Sequence, residues 1–376
     1  MSKLFRVAAA LALAGASLPA LAASAAATRA WQFKPESVQG LEARNLIGDV
    51  RIERADVAGV HVTARATVEA DTEAEAKRLA ALIEYRTRDV GKGSRFEVRF
   101  PREHFPKIYW AGGAGHWWTV SHAQYLGERV PLSSRRSDSV VVRVDLLIRA
   151  PAGTELDVSN VFGDSVAQGF SGDLSLDGGS GSLRSSAGEG SLALDNGSGE
   201  VVVARHRGPV AADTGSGSVK ITDCECTIAA DTGSGAVNVE RGKGSVAADT
   251  GSGRVEVRDF SGSLSADTGS GSVHASGLSA ASTIDVDTGS GGVTIEGDLS
   301  SLADLDIDTG SGSVSLRSSA QPSMELRINT GSGGVDVDAP GATVREEDDI
   351  WSVRMGDGSG RGVIDTGSGS VDIAFR

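Results

Sequence analysis

The chain has 376 residues, room for two or three domains at roughly 150 residues each, so one small fold is excluded. Its 36 Lys and Arg stand against 50 Asp and Glu, a formal net charge of −14, which argues against a phosphate-backbone partner and so against nucleic acid. Aromatic residues are 5% while Gly numbers 50; no aromatic-rich core can span such a chain, and without collagen's strict period the Gly content points to repeated, Gly-cornered structure.

Residues 1–22 predict a secretory signal peptide: Lys3 and Arg6, an apolar run from Val7 to Leu18, then Pro19 and the small-x-small site Ala20-Leu21-Ala22. The run is about a dozen residues, short of the roughly 20 that span a bilayer, and no later run reaches that length, so no stable membrane span is expected after cleavage. The only cysteines, Cys224 and Cys226, lie far from the cleavage site and offer no lipid acceptor there. Loss of Lys3 and Arg6 takes the charge from −14 to −16. An exported chain is expected, periplasmic or at the cell surface and beyond.

Residues 26–150 predict a strand-rich, mixed α+β region. Alternation marks strands at Val60 to Ala64, Phe96 to Phe100 and Val140 to Ile148. A helix is predicted over 72–85, where Thr72 and Glu75 make a capping-box pattern and Ala76, Leu79, Ala80 and Ile83 share one face. The stretch 101–130 breaks this pattern. It holds six of the 17 aromatic residues and three of the six histidines. Its aromatics Tyr109, Trp110, Trp117, Trp118 and Tyr125 are the candidate interaction residues, read either as a plug over the end of the following repeat or as a binding surface. His104, His116 and His122 match no metal-ligand spacing, so ordinary loop histidines are expected.

Composition changes at Pro151-Ala152-Gly153. Residues 1–150 carry 22 Lys and Arg against 16 Asp and Glu, a balance of +6; residues 151–376 carry 14 against 34, a balance of −20. Ten glycines precede the join and 40 follow it, so a boundary is placed there.

Residues 151–376 are governed by a repeat. DTGSG begins at Asp213, Asp231, Asp249, Asp267, Asp287, Asp308 and Asp365; NTGSG at Asn329, DNGSG at Asp195 and DGGSG at Asp177 complete ten corners, spaced 18, 18, 18, 18, 18, 20, 21, 21 and 36 apart. Each unit carries two alternating apolar pairs, such as Val255 and Val257 then Leu264 and Ala266, hence two short strands. One unit buries too little to fold alone, so stacking must supply the core. The expected architecture is mainly β: a right-handed parallel β-solenoid of about 18–21 residues per coil, capped by the N-terminal region. Antiparallel hairpins in a sandwich are the alternative.

At the corner, Gly is expected to supply positive φ and the Asp and Ser side chains to accept local N–H groups. Parity in Leu305-Asp306-Ile307-Asp308-Thr309 turns the Thr column inward and the Asp column outward. Glu346 to Asp349 followed by Ile350-Trp351-Ser352-Val353 is expected to form a degenerate, bulkier coil at the far end. Open ends need such covers, because unpaired strand edges template pairing with other chains.

Three marks then carry a family resemblance: Leu147 to Asp157, Asn160-Val161-Phe162-Gly163-Asp164, and the recurrent DTGSGSV. With them, residues 141–376 resemble the bacterial putative-adhesin β-strand-repeat family of unknown function, related to the head GIN domain. A similar run, Asn45-Leu46-Ile47-Gly48-Asp49-Val50, occurs near the start. The resemblance implies an exported β-solenoid and transfers no catalytic residue.

DTGS is also the active-site tetrapeptide of aspartic proteases, but that chemistry pairs two carboxylates across a cleft. A stacked column does not. Outward carboxylates supply the hard oxygen ligands that calcium takes, but no calcium-binding nonapeptide repeat occurs, and a stacked acidic column also attracts cations diffusely. No metal site, cofactor or catalytic residue is therefore assigned. Cys224 and Cys226, which fall where sister coils carry Phe260 and Gly262, could bridge only across a tight bend, since extended geometry parts their Cα atoms by about 7 Å. The function expected is a non-enzymatic exported scaffold, adhesin-like or engaging an envelope or surface partner, protein or glycan. The alternative is a polysaccharide-binding or polysaccharide-acting β-helix protein.

Overall fold

The computed structural model describes residues 23–34, 40–91, 93–110, 121–348 and 350–376. The signal peptide predicted over 1–22, together with Trp117, Trp118 and His116, lies outside the described residues.

The repeat folds as the period requires. Each coil has a lead-in strand that ends in the Asp-Thr of a corner, then Gly-Ser-Gly, then a lead-out strand; Val210–Thr214 is one lead-in strand and Val201–Ala204 one lead-out strand. Lead-in strands pair in parallel with a shift of one repeat, Asp195 against Asp213, Asp213 against Asp231 and Asp231 against Asp249. Lead-out strands do likewise, Val201 against Val219 and Val219 against Val237. The result is two parallel ladders with one interior, a parallel β-solenoid. Its interior is built from columns of small aliphatic residues, among them Val201, Val219, Val237 and Val255, all fully buried.

Parity holds. Thr214, Thr232, Thr250, Thr268, Thr288 and Thr309 have no exposed surface, while the neighbouring aspartates point to solvent. From Thr214 to Thr288 each Thr hydroxyl accepts from a Gly N–H of its own corner and donates to a Gly carbonyl one coil back, whereas Thr309 Oγ1 donates to Gly312 O within its own corner. For Thr250 the bonds are Gly253 N–H to Oγ1 at 2.9 Å and Oγ1 to Gly235 O at 3.1 Å. The corner chemistry therefore belongs to Thr, not to Asp or Ser as expected. Glycine is needed for a different reason too. Positive φ occurs at Gly163, Gly181 and Gly199, but not at the equivalent glycines of the DTGSG corners. There, stacking leaves no room: a Cβ on Gly253 would lie 1.6 Å from Gly235 O. Left-handed backbone appears instead on the opposite side of the coil, at Gly169, Ala187, Arg205, Asp223, Arg241, Asp259 and Gly277, one per repeat. The bend at Asp223 (φ 54°) precedes Cys224 and Cys226, whose Cα atoms are 5.5 Å apart and which form a disulfide.

The sheets run through the join at Pro151. Gly40–Ile47 and Val50–Arg54 make a coil in register with the repeat, Asn45 opposite Asn160, Ile47 opposite Phe162 and Val50 opposite Ser165. Outside this coil, Glu84–Val90 and Gly93–Arg99 extend the lead-in ladder. Ala23–Phe33, Val60–Ala70 and Val141–Ala150 extend the lead-out ladder. The helix spans Glu73–Leu82, with Thr72 Oγ1 capping Glu75 N at 3.2 Å, and buries Ala76, Leu79 and Ala80. It ends three residues before the predicted Tyr85, because Ile83 turns extended and Tyr85 joins a ring cluster with Trp31 and Phe96, at 4.9 and 6.1 Å.

The far end differs from the expected degenerate coil. Thr343–Glu347 and Ile350–Met355 form a hairpin that pairs antiparallel on Met324–Thr330. The chain then turns back, and the final coil, Gly360–Thr366 and Val371–Phe375, inserts between the coils at 304–318 and 324–338. Stacking order thus departs from chain order. The hairpin occupies the outer edge of Met324–Thr330, so the returning strand finds its free edges only inside the stack. Phe375, the last residue of the final lead-out strand, is fully buried.

Candidate functional site

Two surfaces of the rod merit attention, and neither brings together a nucleophile, an acid and a base. The first is the aspartate ladder. Asp177, Asp195, Asp213, Asp231, Asp249, Asp267, Asp287, Asp308 and Asp365 lie in one register-locked column that closes on Asn329. Beside it runs a stripe of Ala193, Ala211, Ala229 and Ala247, and the two line a shallow groove of about 540 Å³. Burial first, and the flanking aspartates second, raise the carboxyls of Asp177, Asp213, Asp249 and Asp287 above the ordinary range. Each of these nine aspartates comes from a different coil. Among the described residues no group of three or more His, Cys, Asp or Glu could hold a metal ion.

The second surface is a cleft at the capped end, of about 290 Å³. The aromatic excursion reaches it through Ile108–Tyr109, which pairs with Glu128–Ser133 in a small separate sheet. Backbone bonds from Tyr109 N to Val140 O and from Trp110 N to Ser133 O, both 2.9 Å, fix these two residues. Trp110 lies against Phe162, ring centroids 4.4 Å apart. The Arg136 guanidinium sits 4.9 Å from the Tyr109 ring centroid and pairs with Glu69. Tyr109 first and Glu69 second hold its pKa above the ordinary arginine value. Across the cleft, Arg143 Nη2 donates to Asp49 Oδ2 at 2.7 Å, and Nε donates to Asp145 Oδ1 at 2.9 Å.

The sequence candidates therefore divide. Tyr109 and Trp110 come together in the cleft. Tyr125 does not: it is buried, its hydroxyl lying 2.6 Å from Val98 O and 2.9 Å from Arg44 O, where it fastens the excursion to the lead-in sheet. Trp117 and Trp118 lie outside the described residues. His122 contacts Ser121 and Arg129, and His104 contacts Glu103. Arg136 and Arg143 are not named by the sequence reading, and Ile47 and Phe162 enter it only as members of the runs Asn45 to Val50 and Asn160 to Asp164, not as cleft residues. Aligning the corners would have found two of them, because Ile47 and Phe162 occupy the column that continues as Ser180 and Ser198.

With this geometry in view, residues 139–301 match the Toastrack DUF4097 family, so the family resemblance read from the repeats holds over that segment. No curated protein matches the chain. Among solved structures, the chain is similar to a putative cell adhesion protein from Clostridium sporogenes, at 11% identity and TM-score 0.21 over 94% of this chain and 100% of that one. It is also similar to a putative lipid binding protein from Parabacteroides distasonis, at 9% identity and TM-score 0.33 over 92% and 96%.

Proposed function

We propose that the chain is an exported, non-enzymatic scaffold that presents a repeated surface to an envelope or cell-surface partner. One observation carries this reading: the ladder sets an Asp at the same place on nine coils of one stack, with Ala193, Ala211, Ala229 and Ala247 beside it on four successive coils, so the rod offers a periodic face of fixed spacing. Periodicity of that kind suits multivalent contact, in which weak identical contacts add along a line. A reaction centre needs unlike groups converging on one point, and the ladder multiplies one group instead. The sequence supports export through residues 1–22, and no helix among the described residues is long and apolar enough to cross a membrane.

Two measurements test the reading. Fractionation of cells with surface proteolysis should recover the processed chain outside the cytoplasm. Incubation of the purified chain with acidic and neutral polysaccharides should leave them intact. Turnover abolished by a single point substitution would replace the scaffold with a polysaccharide-acting enzyme.

A further inference from the structure

The cleft at the capped end has a construction that the rod does not need. The coils that follow place Ser180 and Ser198 at the outer corner position, yet the first two coils place Ile47 and Phe162 there. These two side chains form an apolar floor at a solvent-facing corner. Trp110 covers part of it, and Tyr109 stands beside, each tied through its own backbone N–H to a neighbouring strand. The aromatic wall is therefore held in place before any ligand arrives.

Polar groups surround this wall in matched pairs. Arg136 is committed to Glu69, and Arg143 to Asp49. The four lining charges cancel, and Asp145, bonded to Arg143 from outside the lining, tips the neighbourhood negative. Pairing does not exhaust these groups. A guanidinium has five N–H donors and a carboxylate about four acceptor positions, and Arg143 spends only Nε and Nη2 on Asp145 and Asp49 among the described residues. Donors and acceptors thus remain, side by side, next to aromatic faces.

A sugar ring is the ligand with that complement: C–H groups on one face for an aromatic ring, and hydroxyls around its edge that both donate and accept. We propose that this cleft binds an uncharged glycan through one or two pyranose units. The volume, about 290 Å³, lies just under the range of drug-sized ligand pockets, roughly 300 to 1,000 Å³, which suits a ligand as small as one or two sugar rings. An anionic sugar would meet Asp49, Glu69 and Asp145, which already offset the two guanidinium charges. The site rests on the scaffold reading above and names one class of partner for it, at the capped end and separate from the ladder.

The test is saturation-transfer NMR with titration, using the full exported chain against cellobiose, maltose and N,N′-diacetylchitobiose as uncharged probes. Digalacturonic acid serves as the anionic probe and a phenylalanine dipeptide as an apolar one. At least one uncharged disaccharide should bind, with the anionic probe weaker. Trp110→Ala should weaken that binding about tenfold, the scale of one aromatic contact. Because Trp110 also packs on Phe162, Arg143→Gln provides a second variant, expected to weaken binding severalfold while the circular dichroism stays that of the parent. Trp351→Phe, at the opposite end, should bind as the parent does. Binding of no uncharged sugar, preference for the dipeptide or the uronic acid, or unchanged binding in both folded cleft variants would overturn the assignment. The scaffold reading fails separately: recovery of cleaved disaccharide would overturn that reading, whereas absence of binding would not.

Discussion

Asp249 lies inside the aspartate ladder with Asp231 and Asp267 on either side, and Asp249→Asn should stabilise the rod at neutral pH. Adjacent strands are about 4.8 Å apart. Two unit charges at that distance in water repel by about 332/(80 × 4.8), or roughly 0.9 kcal/mol. Two neighbours double this, and screening at physiological salt, with a Debye length of about 8 Å, returns it to roughly 1 kcal/mol. Exposure of these side chains reduces it further, so about 0.5–1 kcal/mol is expected. The pH dependence follows from the direction of the shift. Burial first, and then Asp231 and Asp267, raise the Asp249 carboxyl in the folded rod. Its contribution to stability is therefore complete below the unfolded value, near 3.9, and is lost as pH rises through the folded value. Asp249→Asn should accordingly unfold at a higher temperature than the parent at pH 7 in low salt. The gain should shrink in 1 M salt and vanish near pH 3. Thermal melts by circular dichroism at the two pH values and two salt concentrations measure this. A variant that is less stable at pH 7 in low salt, or equally favoured at pH 3, would show that the charged Asp249 carboxylate does not burden the folded rod.

The corner and the opposite bend make two further claims. Gly253→Ala should destabilise by about 3 kcal/mol or more, since its Cβ would meet both the stacked Gly235 carbonyl and Thr250 Oγ1; urea titration with an unchanged midpoint would refute the close-approach explanation. Ala187→Gly should stabilise by about 0.5–1 kcal/mol, because Ala187 is exposed at φ 53° and a left-handed non-Gly residue is strained by roughly 1–2 kcal/mol, less the chain entropy glycine loses. A lowered melting temperature would contradict it.

The parts of the fold that were legible are those fixed by local periodicity. An 18-residue repeat with two apolar pairs defines the coil, and alternation through Leu305-Asp306-Ile307-Asp308-Thr309 sets Asp outside and Thr inside. Thr72 and Glu75 mark the start of the helix. The run Asn45 to Val50 already echoes Asn160 to Asp164, and the two stack as neighbours. What stayed hidden depends on contacts between coils or between distant segments. The glycines of DTGSG look like turn glycines in one unit, and only the coil beneath, with its carbonyl at 1.6 Å from the missing Cβ, explains them. Insertion of the last coil depends on which edge the hairpin at 343–355 takes, and a spacing of 36 residues is equally consistent with a coil simply omitted. The cleft is hidden for a related reason. Arg136 meets Tyr109 only because the excursion folds back across the first coil, and Arg143 meets Asp49 because Val141–Ala150 pairs with Val50–Arg54, whereas Phe162 stands out as the one aromatic residue in a column of serines.

The solenoid itself is tested most directly by deleting one coil. Removal of residues 231–248 joins Ala230 to Asp249, and because Asp231 stands opposite Asp249 in the ladder, the remaining coils meet like with like. Removal of nine residues, 231–239, joins a lead-in strand to the side of the coil opposite the corner, misplaces the glycines and turns aliphatic columns outward. Thermal unfolding of both deletions beside the parent, followed by circular dichroism, should show the whole-coil deletion folded and melting near the parent, with the half-coil deletion unfolded or melting far earlier. A half-coil deletion that melts no earlier than the whole-coil deletion would contradict a stack of 18-residue coils.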